Sequence, residues 1–287
     1  MKKSQPSQNI FVTVLVISVI FFSIFILHNL GTKPKPQPQL KVQVKFKHKV
    51  SVPKPTKVKP RPKVSFVIDD WGYNLNNIDL ILDMDIPITI AVLPHLVYSH
   101  NIVERVKEDG KGNFDIILHL PMESKSGKTP EANTISRNME KEEIASILRN
   151  DIEDMPGIIG VSNHQGSRIT EDRPKMKIIM AELKKKDLFF LDSRTTPVSV
   201  CSSIAHDIGL RYAQRDIFLD LAEKRNPEQY RAYVKKQIKK LAEIAKEKGS
   251  AVGIGHDKRL TLEVIKESIP DMERENIKIV PLKELVK

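Results

Sequence analysis

The sequence predicts an α/β protein in which residues 64–287 form a distorted (β/α) barrel of seven to eight parallel strands. Short apolar runs rich in β-branched and aromatic residues alternate along this region with helical stretches. That order is typical of parallel strands joined by right-handed crossovers. Seven or eight such units suit a closed or nearly closed barrel. An open doubly wound sheet is the alternative, but the region contains no GxGxxG or GxxxxGK[ST] phosphate-binding loop for it to use.

An apolar stretch near the N-terminus predicts a membrane anchor. Ile10–Leu27 is almost uninterrupted in its apolar character and follows Lys2 and Lys3; it is long enough to span a bilayer as a helix. Because no small-x-small cleavage site follows it, we expect an uncleaved transmembrane signal anchor over residues 10–30, with residues 1–9 as a cytoplasmic segment. Charge alone leaves the orientation open. The lysines after the stretch outnumber the two before it, and the positive-inside rule would place that side in the cytoplasm.

Residues 31–63 have the composition of a linker. Prolines alternate there with lysines and one arginine, and no acidic residue is present. Proline together with like charges keeps a chain extended. We expect a semi-rigid, disordered spacer between the anchor and the barrel, either a plain solvated linker or one attracted to anionic lipid or wall polymer.

The net charge of +11 belongs to the N-terminal region and not to the predicted barrel. Residues 1–63 hold thirteen of the 47 basic residues, which leaves 34 against 36 acidic residues and a net charge of about −2 for the remainder. A globular nucleic-acid-binding domain should carry its basic excess on its own folded surface, so we expect no nucleic-acid partner. Cys201 is the only cysteine, which rules out an intramolecular disulfide.

Eight apolar runs predict the strands. The first, Val64–Ile68, leads directly into Asp69 and Asp70. The others are Ile88–Val92, Asp115–Leu118, Ile158–Val161, Leu188–Leu191, Leu210–Ala213, Ala251–Ile254 and Ile277–Val280. Helices are predicted between them near residues 75–83, 97–109, 140–153, 173–186, 201–208, 227–248 and 260–268.

Polar residues suited to catalysis follow most of these strands. They are Asp69 and Asp70 after the first strand, His95 after the second, His119 after the third, Asn163, His164, Ser167 and Arg168 after the fourth, Asp192 and Arg194 after the fifth, Asp216 after the sixth and His256 after the seventh. In a parallel barrel these strand ends open on the same face, where such barrels place their active sites. Any single residue could be structural, but their common position in the repeat favours a site.

The residue types favour a metal hydrolase. Two neutral imidazoles and one carboxylate leave an open position for water on a divalent ion, with Zn²⁺ the best fit, so Asp70, His119 and His164 are the candidate ligands. Asp69 could take the proton of the attacking water, and His256 could act as the general acid. Asn163, Ser167, Arg168, Asp192, Arg194 and Asp216 are candidates for binding substrate or for positioning those groups.

Six motifs in order resemble the divergent polysaccharide deacetylase family, which is distantly similar to the NodB-type deacetylases. They are VIDDWGYN at 67–74, LHLPME at 118–123, NHQGSR at 163–168, FLDSRTT at 190–196, RDIFLD at 215–220 and IGH at 254–256. The resemblance implies a divalent metal and hydrolysis of N- or O-acetyl groups on polysaccharide or peptidoglycan. It implies Asp69 as catalytic base, Asp70 as metal aspartate and His256 as acid, in a domain held outside the cytoplasm by a single-pass anchor in the cell membrane.

One position departs from that family's pattern. Its better-known relatives carry two metal histidines four residues apart, whereas this chain has Arg168 four residues after His164. Either His119 supplies the missing imidazole or the metal site is degraded. Two alternatives to a metal-dependent deacetylase therefore stay open. One is a weak or inactive glycan-binding barrel that helps to organise the cell envelope, and the other is a metal-independent glycosidase that uses two of Asp69, Asp192 and Asp216.

Overall fold

The structure is a computed structural model that describes residues 60–109, 114–127, 131–221 and 226–287, together with Ser23. The predicted anchor at 10–30 and nearly all of the predicted linker at 31–63 lie outside these residues and stay predictions. Among the helices of the described ranges, none combines the length and apolar character that crossing a bilayer requires. Val58–Lys287 forms one compact unit.

Nine strands and seven α-helices make up the described part of this unit. The strands are β1 (Lys63–Trp71), β2 (Ile88–Val92), β3 (Phe114–Met122), β4 (Gly160–Gln165), β5 (Phe189–Asp192), β6 (Tyr212–Gln214), β7 (Ile217–Phe218), β8 (Ser250–His256) and β9 (Lys278–Ile279). The helices are α1 (Ile78–Leu82), α2 (Ser99–Glu108), α3 (Lys141–Asp154), α4 (Arg173–Lys185), α5 (Cys201–Ile208), α6 (Pro227–Lys248) and α7 (Arg259–Arg274). Two 3-10 turns, Ile169–Glu171 and Leu282–Glu284, complete the set.

The strands form one parallel sheet in the order β6-β5-β4-β3-β2-β1-β8-β7, with β9 paired to the start of β1. The two ends of this order, β6 and β7, are separated in sequence only by Arg215 and Asp216. The backbone N–H of Arg215 donates to Asp192 O, and that of Asp216 donates to Val252 O. The sheet therefore curls into a parallel half-barrel, although β6 and β7 do not pair with each other within the described residues. The predicted α/β class and parallel strands are confirmed in this form.

Alternation along the strands separates two apolar layers. Phe66, Ile68 and their equivalents pack in the large cluster beneath the helices. Val67 and its equivalents fill the inside of the curled sheet; this inner layer comprises Val67, Ala91, Ile117, Phe189, Leu191, Ala213, Val252, Ile254 and Leu282. Both faces of the sheet are thus covered, which is why the strands read as continuous apolar runs in the sequence.

The prediction differs from the structure at three places. β7 was not predicted, because two residues give no periodicity. The eighth predicted run, Ile277–Val280, contains strand β9. This strand does not extend the main strand order, because it pairs only with the first two residues of β1. The last helix does not end at residue 268 but continues through Pro270 to Arg274, and the buried Met272 on that extra turn favours the continuation.

Candidate metal and catalytic site

The alternation of β-strands decides which polar side chains face the inside of the sheet. Asp69 lies two residues beyond the inner-layer residue Val67, and His119 lies two beyond Ile117. His256 lies two beyond Ile254 in the same way. Because side chains at i and i+2 share a face, all three point over the inner layer at the carboxyl end of the sheet.

Asp70, His119 and His164 converge there. Asp70 Oδ1 lies 3.3 Å from His119 Nε2 and 2.9 Å from His164 Nδ1. One ligand atom from each of the three residues lies within 4.8 Å of the others. Asp70 belongs to the opposite face by alternation, but its backbone has φ +66°, and this left-handed turn accompanies its approach to the two imidazoles.

This donor set fits a divalent metal ion. Two donors on a tetrahedral zinc with bonds of about 2.0–2.2 Å lie roughly 3.3–3.6 Å apart. The distance of 3.3 Å from Asp70 Oδ1 to His119 Nε2 matches this range, and the distance of 2.9 Å to His164 Nδ1 is shorter. Ser162 orients the His119 ring, since Ser162 Oγ lies 2.7 Å from His119 Nδ1, the ring nitrogen that is not directed at Asp70. In the tautomer whose Nδ1–H donates to that hydroxyl, Nε2 could ligate an ion; in the tautomer with Nε2–H, the ring donates to Asp70 instead.

The two neighbouring aspartates differ in electrostatic character. Burial favours a raised pKa for Asp70, but the hydrogen bonds from His119 and His164 outweigh it and hold that pKa well below its usual range. Burial raises the pKa of Asp69, and the nearby imidazoles offset this only in part. Asp69 Oδ2 lies 3.6 Å from His119 Nε2, and Oδ1 has no hydrogen-bond partner among the described residues. Asp70 is thus suited to remain an anion, and Asp69 is suited to accept a proton.

His256 faces the same space from β8 and is held by Asp220. Asp220 Oδ1 lies 2.6 Å from His256 Nδ1, and its Oδ2 accepts hydrogen bonds from the backbone N–H of His256 and from Thr261 Oγ1, both at 2.9 Å. Burial alone would lower the pKa of His256, but the hydrogen bond and charge of Asp220 outweigh it and raise that pKa. The ring also stacks on Phe218, with centroids 5.8 Å apart. His256 is therefore suited to carry a proton and to release it at Nε2.

Comparison with known proteins places this arrangement in a family. Residues 66–286 match the divergent polysaccharide deacetylase family. The chain belongs to that family. The expectation raised by the six sequence motifs is thereby confirmed.

Two relatives and one solved structure illustrate the spread of similar proteins. The chain is 30% identical over 207 residues to the uncharacterized protein YibQ of Escherichia coli K12. The matched region spans 72% of this chain but only 62% of the length of YibQ. An uncharacterized protein of Haemophilus influenzae Rd is 33% identical over 218 residues, 76% of this chain and 74% of its own length. The crystal structure of the uncharacterized protein ATU2773 from Agrobacterium tumefaciens C58 superposes with a TM-score of 0.72 at 20% identity, covering 81% of this chain and 92% of the other. At that identity the likeness shows the fold.

In this member of the family, Asn163, Ser167 and Arg168 tie the end of β4 and the loop after it to neighbouring segments. Asn163 Nδ2 donates to Gln165 O at 2.8 Å, and its Oδ1 accepts from the backbone N–H of Ser193 at 2.9 Å. Ser167 Oγ accepts from the backbone N–H of Lys125 at 3.0 Å. Arg168 Nε forms an ion pair of 2.7 Å with Glu123 Oε1. These contacts position the end of β4, which carries His164.

The candidates after the fifth and sixth strands have other partners. Asp192 lies on the same face of β5 as Phe190, the face that packs against the helices. Its carboxylate accepts hydrogen bonds from Ser199 Oγ at 2.6 Å and from the backbone N–H of Arg194 at 2.7 Å. Arg194 Nη1 donates to Gln214 Oε1 at 3.2 Å.

Asp216 does not join the cluster. Its Oδ1 accepts from Lys248 Nζ at 2.8 Å, and its Oδ2 accepts from the backbone N–H of Val252 at 2.9 Å, near the start of β8 and at the far end of that strand from His256. The aspartate of this segment that contacts His256 is Asp220, which the sequence analysis did not single out. It is the last residue of the RDIFLD motif and the first aspartate after β7.

Proposed function

We propose that this protein is a metal-dependent carbohydrate deacetylase that hydrolyses acetyl groups on polysaccharide or peptidoglycan. The observation that supports the proposal is the convergence of Asp70, His119 and His164 at the carboxyl end of the sheet, over the inner layer that Asp69 and His256 also face. Family membership makes deacetylation the reaction of choice. The three converging residues would hold the metal, and Zn²⁺ suits their donor atoms best.

The bound ion supplies Lewis acidity, which polarises an acetyl carbonyl and makes water a better nucleophile at neutral pH. Asp69 takes the proton from the water that attacks the acetyl carbon. His256, charged through its pairing with Asp220, gives its Nε2 proton to the leaving amine or alcohol as the bond to the acetyl carbon breaks. The products are acetic acid, which ionises to acetate in solution, and the free amine or alcohol, and the proton passes from Asp69 back to His256 to complete the cycle.

We further propose that the N-terminal anchor and linker hold this domain at the cell membrane, outside the cytoplasm. The apolar stretch Ile10–Leu27 and the proline- and lysine-rich residues that follow it support this arrangement. Labelling of single cysteines placed on either side of the stretch in intact cells tests it. Reaction of the linker side with a membrane-impermeant reagent is expected, and reaction of only the N-terminal side would contradict the proposal.

The deacetylase proposal is tested by metal analysis and acetate release with the full chain. His119→Ala and His164→Ala are each expected to lose one equivalent of bound zinc and the activity together. Asp69→Asn should keep that zinc and lower kcat about 10²- to 10⁴-fold, the usual contribution of a general base. His206→Ala is the matched control, since its side chain is 91% exposed on α5. Full acetate release by metal-free protein would refute the proposal.

A second candidate function rests on Arg168. In place of a second loop histidine the chain has a cation that is paired with Glu123, and a barrel with reduced metal affinity could bind glycan without turning it over. Stoichiometric glycan binding without acetate release would favour that candidate. The glycosidase alternative has no comparable support, because Asp192 and Asp216 are engaged away from Asp69.

A further inference from the structure

A second cluster of imidazoles and carboxylates lies where the chain leaves β2. His95 is in the loop after β2, His100 is in the first turn of α2, and Asp154 ends α3. His95 Nδ1 lies 3.4 Å from Asp154 Oδ1, and His100 Nε2 lies 2.9 Å from the same oxygen. Asp154 Oδ2 accepts a hydrogen bond of 3.0 Å from the backbone N–H of His95. The carboxylate is thereby fixed with Oδ1 between the two rings.

Asp151 holds the other side of the His95 ring. Its Oδ1 lies 2.9 Å from His95 Nε2, and its side chain is fully buried. When Nε2–H donates to Asp151, the lone pair of Nδ1 is directed toward Asp154 and His100. A carboxylate that accepts from the far nitrogen of an imidazole is the usual support of a metal-binding histidine.

The state of Asp151 is not explained by that pairing alone. Its Oδ2 is buried and has no hydrogen-bond partner among the described residues. A buried carboxylate with one unpaired oxygen is incompletely compensated, and a cation on the opposite nitrogen of the His95 ring would add to that compensation.

We propose that His95 Nδ1, His100 Nε2 and Asp154 Oδ1 form a second, structural site for a divalent transition-metal ion such as Zn²⁺, with Asp151 orienting His95. Two imidazoles and one carboxylate select such an ion over Ca²⁺ or Mg²⁺, which prefer oxygen ligands. This trio is more open than the Asp70 cluster, whose ligand atoms lie within 4.8 Å of one another. It would close by rotation of His100, whose side chain is 60% exposed.

Such an ion would stabilise the strand end that carries Asp70 without touching substrate. It would tie the loop after β2 to the beginning of α2 and the end of α3. That loop contacts the chain that follows Asp70, because the backbone N–H of Tyr98 donates to Gly72 O at 3.1 Å and that of Leu93 donates to Trp71 O at 2.9 Å. The second ion is therefore a support for the first strand-end loop.

Equilibrium dialysis of the metal-stripped full chain against Zn²⁺ tests this site. The unmodified protein and His206→Ala are expected to bind two equivalents, and His100→Ala and His119→Ala one each. The double variant His100→Ala, His119→Ala should bind none, and Ca²⁺ or Mg²⁺ should fill neither site. Asp151→Asn should weaken the site that depends on His100 by about 10- to 100-fold and leave the other unchanged.

The outcomes separate the two metal proposals. If His100→Ala binds as much zinc as the unmodified protein with the same affinity, the second site does not exist. If His119→Ala keeps all of its zinc while His100→Ala loses one equivalent, the second site stands and the proposed catalytic metal is wrong. Zinc should also raise the melting temperature of His119→Ala but not that of the double variant, and the absence of this difference would overturn the structural role.

Discussion

Replacing Asp220 with asparagine perturbs the proposed general acid while leaving the shape of the site nearly unchanged. The carboxylate accepts at 2.6 Å from the His256 ring and at 2.9 Å from both the His256 backbone and Thr261. A hydrogen bond to a charged group is worth about 1.5–3 kcal/mol, and each 1.36 kcal/mol changes a rate tenfold. If the charged imidazole is needed to protonate the leaving group, kcat should fall roughly 10- to 150-fold in Asp220→Asn.

The pH dependence gives the sharper test. Asp220 raises the pKa of His256 against the opposing effect of burial, so its neutralisation should let that pKa fall. A general acid acts in its protonated form, and the basic limb of kcat/KM should therefore move to lower pH. Acetate release from chitooligosaccharide or peptidoglycan fragments measures both effects, with Asp216→Asn as a control in the same segment. An Asp220→Asn variant with an unshifted basic limb and the kcat of Asp216→Asn would refute the role of the pair.

Three further predictions concern stability and reactivity. The folded-state pKa of His256 is raised and that of Asp220 is lowered, so the pair should stabilise the fold most between the ordinary values of 3.8 and 6.5. The melting-temperature difference between the unmodified protein and Asp220→Asn should shrink as pH rises through the folded pKa of His256 or falls through that of Asp220; a constant difference would contradict this. Gly166→Ala, with φ +78° and a Cβ that would lie 2.9 Å from Met122 Cβ, should lower the free energy of unfolding by about 2–4 kcal/mol in urea titrations. Gly127→Ala, with φ +65° and no atom within 4 Å, should cost only about 1–2 kcal/mol, and equal costs would rule out the contact. Cys201 is buried and its pKa is raised by that burial, so the thiol should react with an alkylating reagent only after denaturation, and rapid native labelling would contradict this packing.

The predictability of the strands follows from their burial on both faces. Because helices cover one side of the sheet and the inner layer covers the other, each long strand is a continuous apolar run that the sequence displays directly. The sequence also predicted a strand at Ile277–Val280, but it did not predict which strand it pairs with. Pairing with the first residues of β1 depends on where the chain returns after α7, and no local pattern encodes that return.

The convergence of Asp70, His119 and His164 was predictable because strand phase and strand end together limit the choices. His119 and Asp69 share the inner face with apolar residues two positions earlier, so the sequence predicts their direction once the strands are placed. The same rule sets Asp192 on the face of Phe190, toward the helices, which the prediction did not use. Asp220 could not be chosen over Asp216, since the two-residue strand between them gives no phase to count from.

Backbone conformation explains why several polar residues that looked suited to substrate have structural tasks. Four residues at or just beyond strand ends have a positive φ: Asp70, His95, Gln165 and Arg194, at 66°, 57°, 52° and 48°. For non-glycine residues this conformation costs about 1–2 kcal/mol each, and it persists only where neighbouring groups fix it. The type of a non-glycine side chain does not reveal the sign of its backbone φ. Sequence analysis therefore cannot predict which strand ends require neighbouring groups to fix a positive φ.

Asn163 and Asp192 fix two of these positive-φ turns. Asn163 Nδ2 and Thr195 Oγ1 both donate to the carbonyl of Gln165, at 2.8 and 2.7 Å, and hold the turn that directs the preceding His164 toward Asp70. Asp192 Oδ1 accepts from the backbone N–H of Arg194 at 2.7 Å and fixes the corresponding turn after β5. A polar residue at a strand end can therefore serve the site by holding the backbone of its neighbour. Asp70, His119 and His164 converge in this geometry because such residues stabilise strained turns beside them.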